Sequence, residues 1–126
     1  MIEAERGRLD VDPWIDRRSP DEEFYLSPIT ASELLHGVHR ATDPGVRARR
    51  AAFVEAILDR FPILALDLPT ARAHARLWAD LAAAGTLIGA HDLWLAASCI
   101  VHRLSLVTAN LRDFDRVPGL TVELWG

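Results

Sequence analysis

The chain contains no lysine; every basic residue is an arginine. It has one cysteine, Cys99, so an internal disulfide is impossible, and the apolar surroundings of that residue predict a buried thiol. Long hydrophobic runs are missing too. The longest, Leu93 to Val101, is broken by Ser98 and falls far below the ~20 residues needed to cross a bilayer. The opening residues, Met-Ile-Glu-Ala-Glu-Arg-Gly-Arg, lack the apolar stretch of a secretory signal peptide, so no membrane association is expected and a cytoplasmic location is. Positive charge is short overall: the formal net charge is −4, which argues against binding nucleic acid through bulk basicity but leaves local contact with RNA open. No glycine-rich phosphate loop and no Ser-His-Asp or Cys-His nucleophile set is evident.

What is present suits a single α/β domain over residues 1–126. Half the residues are apolar, enough for one core and too many for wholesale disorder. Residues 2–7 read as the end of a helix, and Asp12-Pro13 opens a short helical turn. Strands are expected at 24–27, 63–66, 104–108 and 120–124, the last reached through the Pro118-Gly119 turn. Helices are expected between them. One is capped by Thr30, with Glu33 closing a capping box. The next starts at Asp43-Pro44 and runs through Phe61, with Ala52, Phe53, Ala56, Ile57 and Phe61 as its apolar positions. A third is capped by Thr70 and stops at Gly85, with Ala73, Leu77 and Leu81 on one stripe. A fourth runs from Asp92 to about Arg103, apolar nearly all round and therefore central. Strands separated by helices favour a mainly parallel sheet covered on both faces.

The chemistry-bearing groups are carboxylates: Glu33, Asp92, Asp113 and Asp115. Each has a local explanation when taken singly. Glu33 can simply close its capping box, on a scale of about 0.5–2 kcal/mol. Asp92 can simply complement the positive end of its helix, at about 0.3–1 kcal/mol. Asp113 and Asp115 suit a turn. Taken together they suggest more, because ligands of open α/β sheets bind beyond the carboxyl ends of the strands. Glu33 follows one strand, Asp113 follows another, and Asp92 heads the helix leading into that second strand. Converging carboxylates repel and raise one another's pKa values, and a hard divalent cation relieves that repulsion. Such an ion can lower the pKa of a bound water and neutralise charge on a phosphate. Thr108 and Asn110 lie between the strand and Asp113, where they can orient the acids or simply hold the turn. His91 is a candidate to support Asp92. His36 and His39, three apart on one helix, could share a zinc ion, but no cysteine lies nearby to complete the site. Arg47, Arg49 and Arg50 form a basic run that reads first as a solvated face and second as a contact for an acidic partner or an RNA backbone.

These motifs resemble those of PIN-domain ribonuclease toxins of the VapC type. The matching pieces are Ile29-Thr-Ala-Ser-Glu33-Leu-Leu-His-Gly, Gly89-Ala-His-Asp92-Leu-Trp-Leu-Ala-Ala, Val107-Thr-Ala-Asn-Leu-Arg-Asp113-Phe and Val117-Pro-Gly-Leu, in family order and with family-like spacing. The resemblance implies a PIN-like three-layer α/β/α fold with a mainly parallel central sheet. It also implies Mg²⁺ or Mn²⁺ held by acids at Glu33, Asp92 and Asp113, with Asp115 an accessory, and RNA cut by metal-activated water. A VapB-type antitoxin partner and a homodimer follow from the same likeness.

One family feature is missing from the sequence. The resemblance calls for a first strand, apolar and carrying an Asp followed by Thr, Ser or Asn, ahead of Ile2, and neither Glu3 nor Glu5 replaces that acid. Roughly three or four buried apolar side chains of a central strand contribute about 5–10 kcal/mol. That is comparable to the about 5–15 kcal/mol of a whole domain. The expectation is therefore a true start upstream of Met1. For the chain as written, the alternative is a non-catalytic PIN-like module that binds an antitoxin without cleaving RNA.

Overall fold

The computed structural model describes residues 24–108 and 111–124. The expected helix at 2–7, the turn at Asp12-Pro13, the missing first strand and Asn110 all lie outside the described residues. Four helices and two short strands follow one another: α1 (Pro28–Arg40), α2 (Pro44–Arg60), α3 (Leu68–Ala83), α4 (Ala90–His102), β1 (Leu106–Thr108) and β2 (Val122–Leu124). A 3₁₀ turn, Leu111–Asp113, lies between the strands.

The helix starts share one chemistry. Each of the first three has an Asp or Ser cap followed within two residues by proline, whose fixed φ suits the first turn and whose missing N–H needs no partner there. Ser27 caps α1, its Oγ accepting from the Ile29 N–H at 3.1 Å. Asp43 caps α2, accepting from the Val46 N–H at 2.9 Å. Asp67 caps α3, accepting from both the N–H (3.1 Å) and the hydroxyl (2.8 Å) of Thr70. These bonds hold the Asp67 carboxyl below the usual carboxylate range.

Two expected caps are thereby displaced. Thr30 and Thr70 sit inside the first turn rather than before it, and both are fully buried. Glu33 is consequently not the third residue of its helix and closes no capping box. The Ser-Pro and Asp-Leu-Pro sequences outcompete the threonines because they fix the extended backbone that a cap requires.

The first core cluster joins Leu34 and Val38 of α1 to Val54, Ile57 and Phe61 around Leu26. The apolar stripe of α2 is rotated from its expected position: Ile57 and Phe61 are buried, while Ala52, Phe53 and Ala56 are exposed and Val54 takes their place. Two arginines of the basic run reach back to the end of α1. Arg47 donates to the His39 carbonyl at 3.0 Å and Arg50 to the Gly37 carbonyl at 3.4 Å, meeting carbonyls that the helix end leaves without partners.

Helix α4 is central, as its all-round apolar sequence predicts. Leu93 and Ala96 pack with Leu77 and Leu81 of α3 and with Val117. Leu95 and Cys99 pack with Leu106 of β1 and Phe114. Burial pushes the Cys99 thiol up to about 11, so it behaves as a small apolar group. The helix ends with Arg103 in the left-handed conformation, φ 55°.

The strand pairings are parallel and shorter than expected. β1 pairs with β2 in the register Leu106↔Val122, Val107↔Glu123, Thr108↔Leu124. A separate parallel bridge links Leu26 to Ile63, with the Leu26 N–H donating to the Pro62 carbonyl and the Leu64 N–H to the Leu26 carbonyl, both at 2.9 Å. β1 is buried throughout, whereas β2 is partly open, the pattern of an inner strand beside an edge. Among the described residues no helix is long and apolar enough to cross a membrane.

Candidate functional site

Asp92 occupies the first turn of α4, after Gly89, whose side-chain-free cap supplies no hydrogen bond of its own. The apolar residues that follow hold this turn against the core, so the carboxyl is half-buried. Burial is the main cause that pushes it up to about 6. The charges of Asp113 and Glu33 push it further in the same direction, and His91 pulls it back. Three acids separated by 59 and 21 positions along the chain thus lie within electrostatic reach of one another.

Each comes from a different element. Glu33 projects from the second turn of α1, past the buried Thr30. Asp113 ends the 3₁₀ turn that follows β1, and its neighbour Phe114 is sunk in the core beside Leu95, Cys99 and Leu106. Phe114 therefore anchors the turn that carries Asp113. Thr108 closes β1 and is fully buried.

Glu33 has a defined partner. The Nδ1 of His91 lies 2.5 Å from Oε1 of Glu33. A carboxylate can only accept, so the imidazole donates its Nδ1–H. This pairing is invisible in the sequence, where His91 stands beside Asp92 and reads as its support; the two partners are 58 positions apart. Sequence reasoning offered no signal for it beyond the presence of an imidazole next to the third acid.

The remaining candidates separate from this group. Asp115 is exposed and is not among the charges acting on Asp92. His36 and His39 are both exposed on α1, and no third ligand joins them among the described residues. His74 is structural: its ring stacks on Trp94 at 3.7 Å and 14°, and burial holds its pKa below the usual value. Trp78 is exposed and meets His74 edge-on at 5.9 Å.

The sequence pattern of the PIN domain matches residues 1–120. Ribonuclease VapC1 of Rickettsia felis is 37% identical over 122 residues, covering 97% of this chain and 88% of that protein. The chain belongs to the PIN-domain family, among its VapC ribonucleases. The tRNA(fMet)-specific endonuclease VapC of Salmonella typhimurium is 35% identical over 100 residues, 79% of this chain and 74% of that one. A crystal structure of VapBC2 from Rickettsia felis, bound to a DNA fragment from its promoter, superposes with a TM-score of 0.78 at 26% identity, covering 84% of this chain and 77% of that one.

The described part of this VapC chain offers an all-oxygen donor set, the kind that suits hard divalent ions. No group of three or more His, Cys, Asp or Glu side chains is drawn together tightly enough to form a finished cage among the described residues. The raised Asp92 carboxyl nonetheless fits a cation: half-buried and pressed by two like charges, it is the group an added positive charge would stabilise most.

Proposed function

We propose that this chain is a metal-dependent endoribonuclease, the toxin of a toxin–antitoxin pair, cutting RNA phosphodiester bonds with water as the nucleophile. The observation that carries the reading is the Asp92 carboxyl, held near pKa 6 by burial and by the charges of Asp113 and Glu33. That arrangement costs folding energy and is relieved by a cation. Asp92 and Asp113 are the proposed ligands of Mg²⁺ or Mn²⁺. When bound, the ion supplies a lowered pKa for water and neutralises charge on the phosphate.

The chain's own residues divide the remaining work. Asp92, at a helix start locked into the core, supplies a rigid oxygen. Asp113 supplies a second from a turn anchored by Phe114. Glu33 is the ligand or base that positions the attacking water, its carboxylate oriented by His91. Asp115, Thr108 and Asn110 are assigned accessory roles in the same loop. The proposed partner is a VapB-type antitoxin, supported by the solved VapBC2 complex, and the proposed assembly is a homodimer.

The test is cleavage of an RNA oligonucleotide by purified protein with Mg²⁺ or Mn²⁺, with EDTA, and by Asp92→Asn. Cleavage confined to the metal-containing wild-type reaction is expected. Cleavage that survives EDTA, or persists in the variant, overturns the assignment. Capture of a VapB-type antitoxin with no cleavage at any metal concentration replaces it with the binding-module reading.

A further inference from the structure

The His91 imidazole is fixed at one end and open at the other. Nδ1 is held by Glu33, and the side chain is 59% exposed beside Asp92. Among the described residues Nε2 has no hydrogen-bond partner. A ring clamped on one nitrogen presents the other at a defined place at the mouth of the acid group. No other imidazole or guanidinium acts on Asp92.

We propose that Nε2 of His91 reads the ribose 2′-hydroxyl of the nucleotide next to the scissile phosphate, and so selects RNA over DNA. This rests on the ribonuclease assignment. With Nδ1–H committed to Glu33, Nε2 is an acceptor in the neutral ring and a donor in the cation. A 2′-hydroxyl is both donor and acceptor, so it matches Nε2 in either state. A phosphate oxygen, which only accepts, matches one state alone. Water as the nucleophile leaves the 2′-hydroxyl free for recognition. His91 thereby acts in two directions, orienting Glu33 through one nitrogen and the sugar through the other.

The experiment uses full-length protein with Mg²⁺ and an RNA oligonucleotide whose cut has been mapped. A single 2′-deoxy replacement is placed in turn on the nucleotides flanking the cut. In wild type one replacement should slow cleavage by roughly threefold to tenfold, the worth of one hydrogen bond. His91→Asn keeps an amide near the Nδ1 position but cannot reach the sugar, and it should cut the ribo and deoxy substrates at equal rates. His91→Gln, whose amide nitrogen falls near the Nε2 position, should restore part of the difference. An equal deoxy penalty in wild type and His91→Asn overturns the proposal, because His91 would then serve Glu33 alone. Abolition of cutting by the deoxy substrate in every variant also overturns it, since the 2′-hydroxyl would then be the nucleophile. Absence of cleavage of any substrate by wild type marks failure of the ribonuclease assignment itself, and the sugar-reading role falls with it.

Discussion

His91 and Glu33 meet at 2.5 Å across the junction of α1 and α4, and this pair sets the electrostatics of Asp92 next to it. Glu33 raises the Asp92 carboxyl and His91 lowers it. Removing the imidazole by His91→Ala should therefore move Asp92 above its present value of about 6. Carbon-detected NMR titration of the Asp92 carboxyl in metal-free protein measures this. A carboxyl that stays put or moves down would show that the imidazole exerts no such pull.

Asp92 also ties stability to pH. Its folded-state pKa, about 6, lies above the ordinary 3.8, so the folded chain keeps a proton that the unfolded chain has released. Stability contributed by this group is accordingly lost as pH rises from about 4 to about 6, and the full cost persists above that. Asp92→Asn, which cannot ionise, should raise the melting temperature of metal-free protein above pH 6. The advantage should shrink towards pH 4. After discounting for solvent screening of a half-exposed group, the gain is on the order of 1–2 kcal/mol. Thermal melts across pH 4–8 decide it, and an advantage that grows on acidification would contradict the burial argument.

Metal addition should reverse that ranking. Mg²⁺ or Mn²⁺ at about 100 times its Kd stabilises a folded protein that binds it by about 2.7 kcal/mol. Wild type should gain, while Asp92→Asn and Asp113→Asn should gain little. Equal shifts in all three proteins would place the ion elsewhere. For catalysis, Glu33→Gln should slow RNA cleavage about 10²-fold or more if it positions the attacking water. A rate within threefold of wild type would remove Glu33 from that role.

Phe114 links the core to the site. It is 1% exposed and packs with Leu95, Cys99 and Leu106. Phe114→Ala should cost about 3–5 kcal/mol, a large share of the stability of a domain this size. A denaturant midpoint unchanged from wild type would mean that the turn bearing Asp113 is not anchored there.

The reassigned cap of α1 is checked by two substitutions. Ser27→Ala removes the oxygen that accepts from the Ile29 N–H and should cost about 0.5–2 kcal/mol. Thr30 is different: its buried hydroxyl has no hydrogen-bond partner. Thr30→Val should therefore be neutral or mildly stabilising, since a methyl replaces an unsatisfied polar group. If Thr30 were the cap, the two results would be exchanged.

Local signals in the sequence determined a good deal by themselves. The Asp43-Pro44 start, the Gly85 stop and the continuous apolar run of α4 each rest on neighbouring residues, and each appears in the structure near its expected place. The acids Glu33, Asp92 and Asp113 could be singled out for the same reason, each following a strand or opening a helix. The true caps Ser27 and Asp67 were also within reach, because their prolines mark the first turn more firmly than a threonine does. Tertiary structure alone decided which side of α2 is buried. Alanine contributes little to the burial free energy, so Val54, Ile57 and Phe61 turn inward and Phe53 is left at the surface. It alone decided, too, that His91 bonds Glu33 rather than Asp92, and that burial outweighs neighbouring charge in raising the Asp92 carboxyl. Contacts between residues 58 positions apart, and the loss of water around a single carboxyl, depend on how whole helices pack, and no local pattern encodes either one.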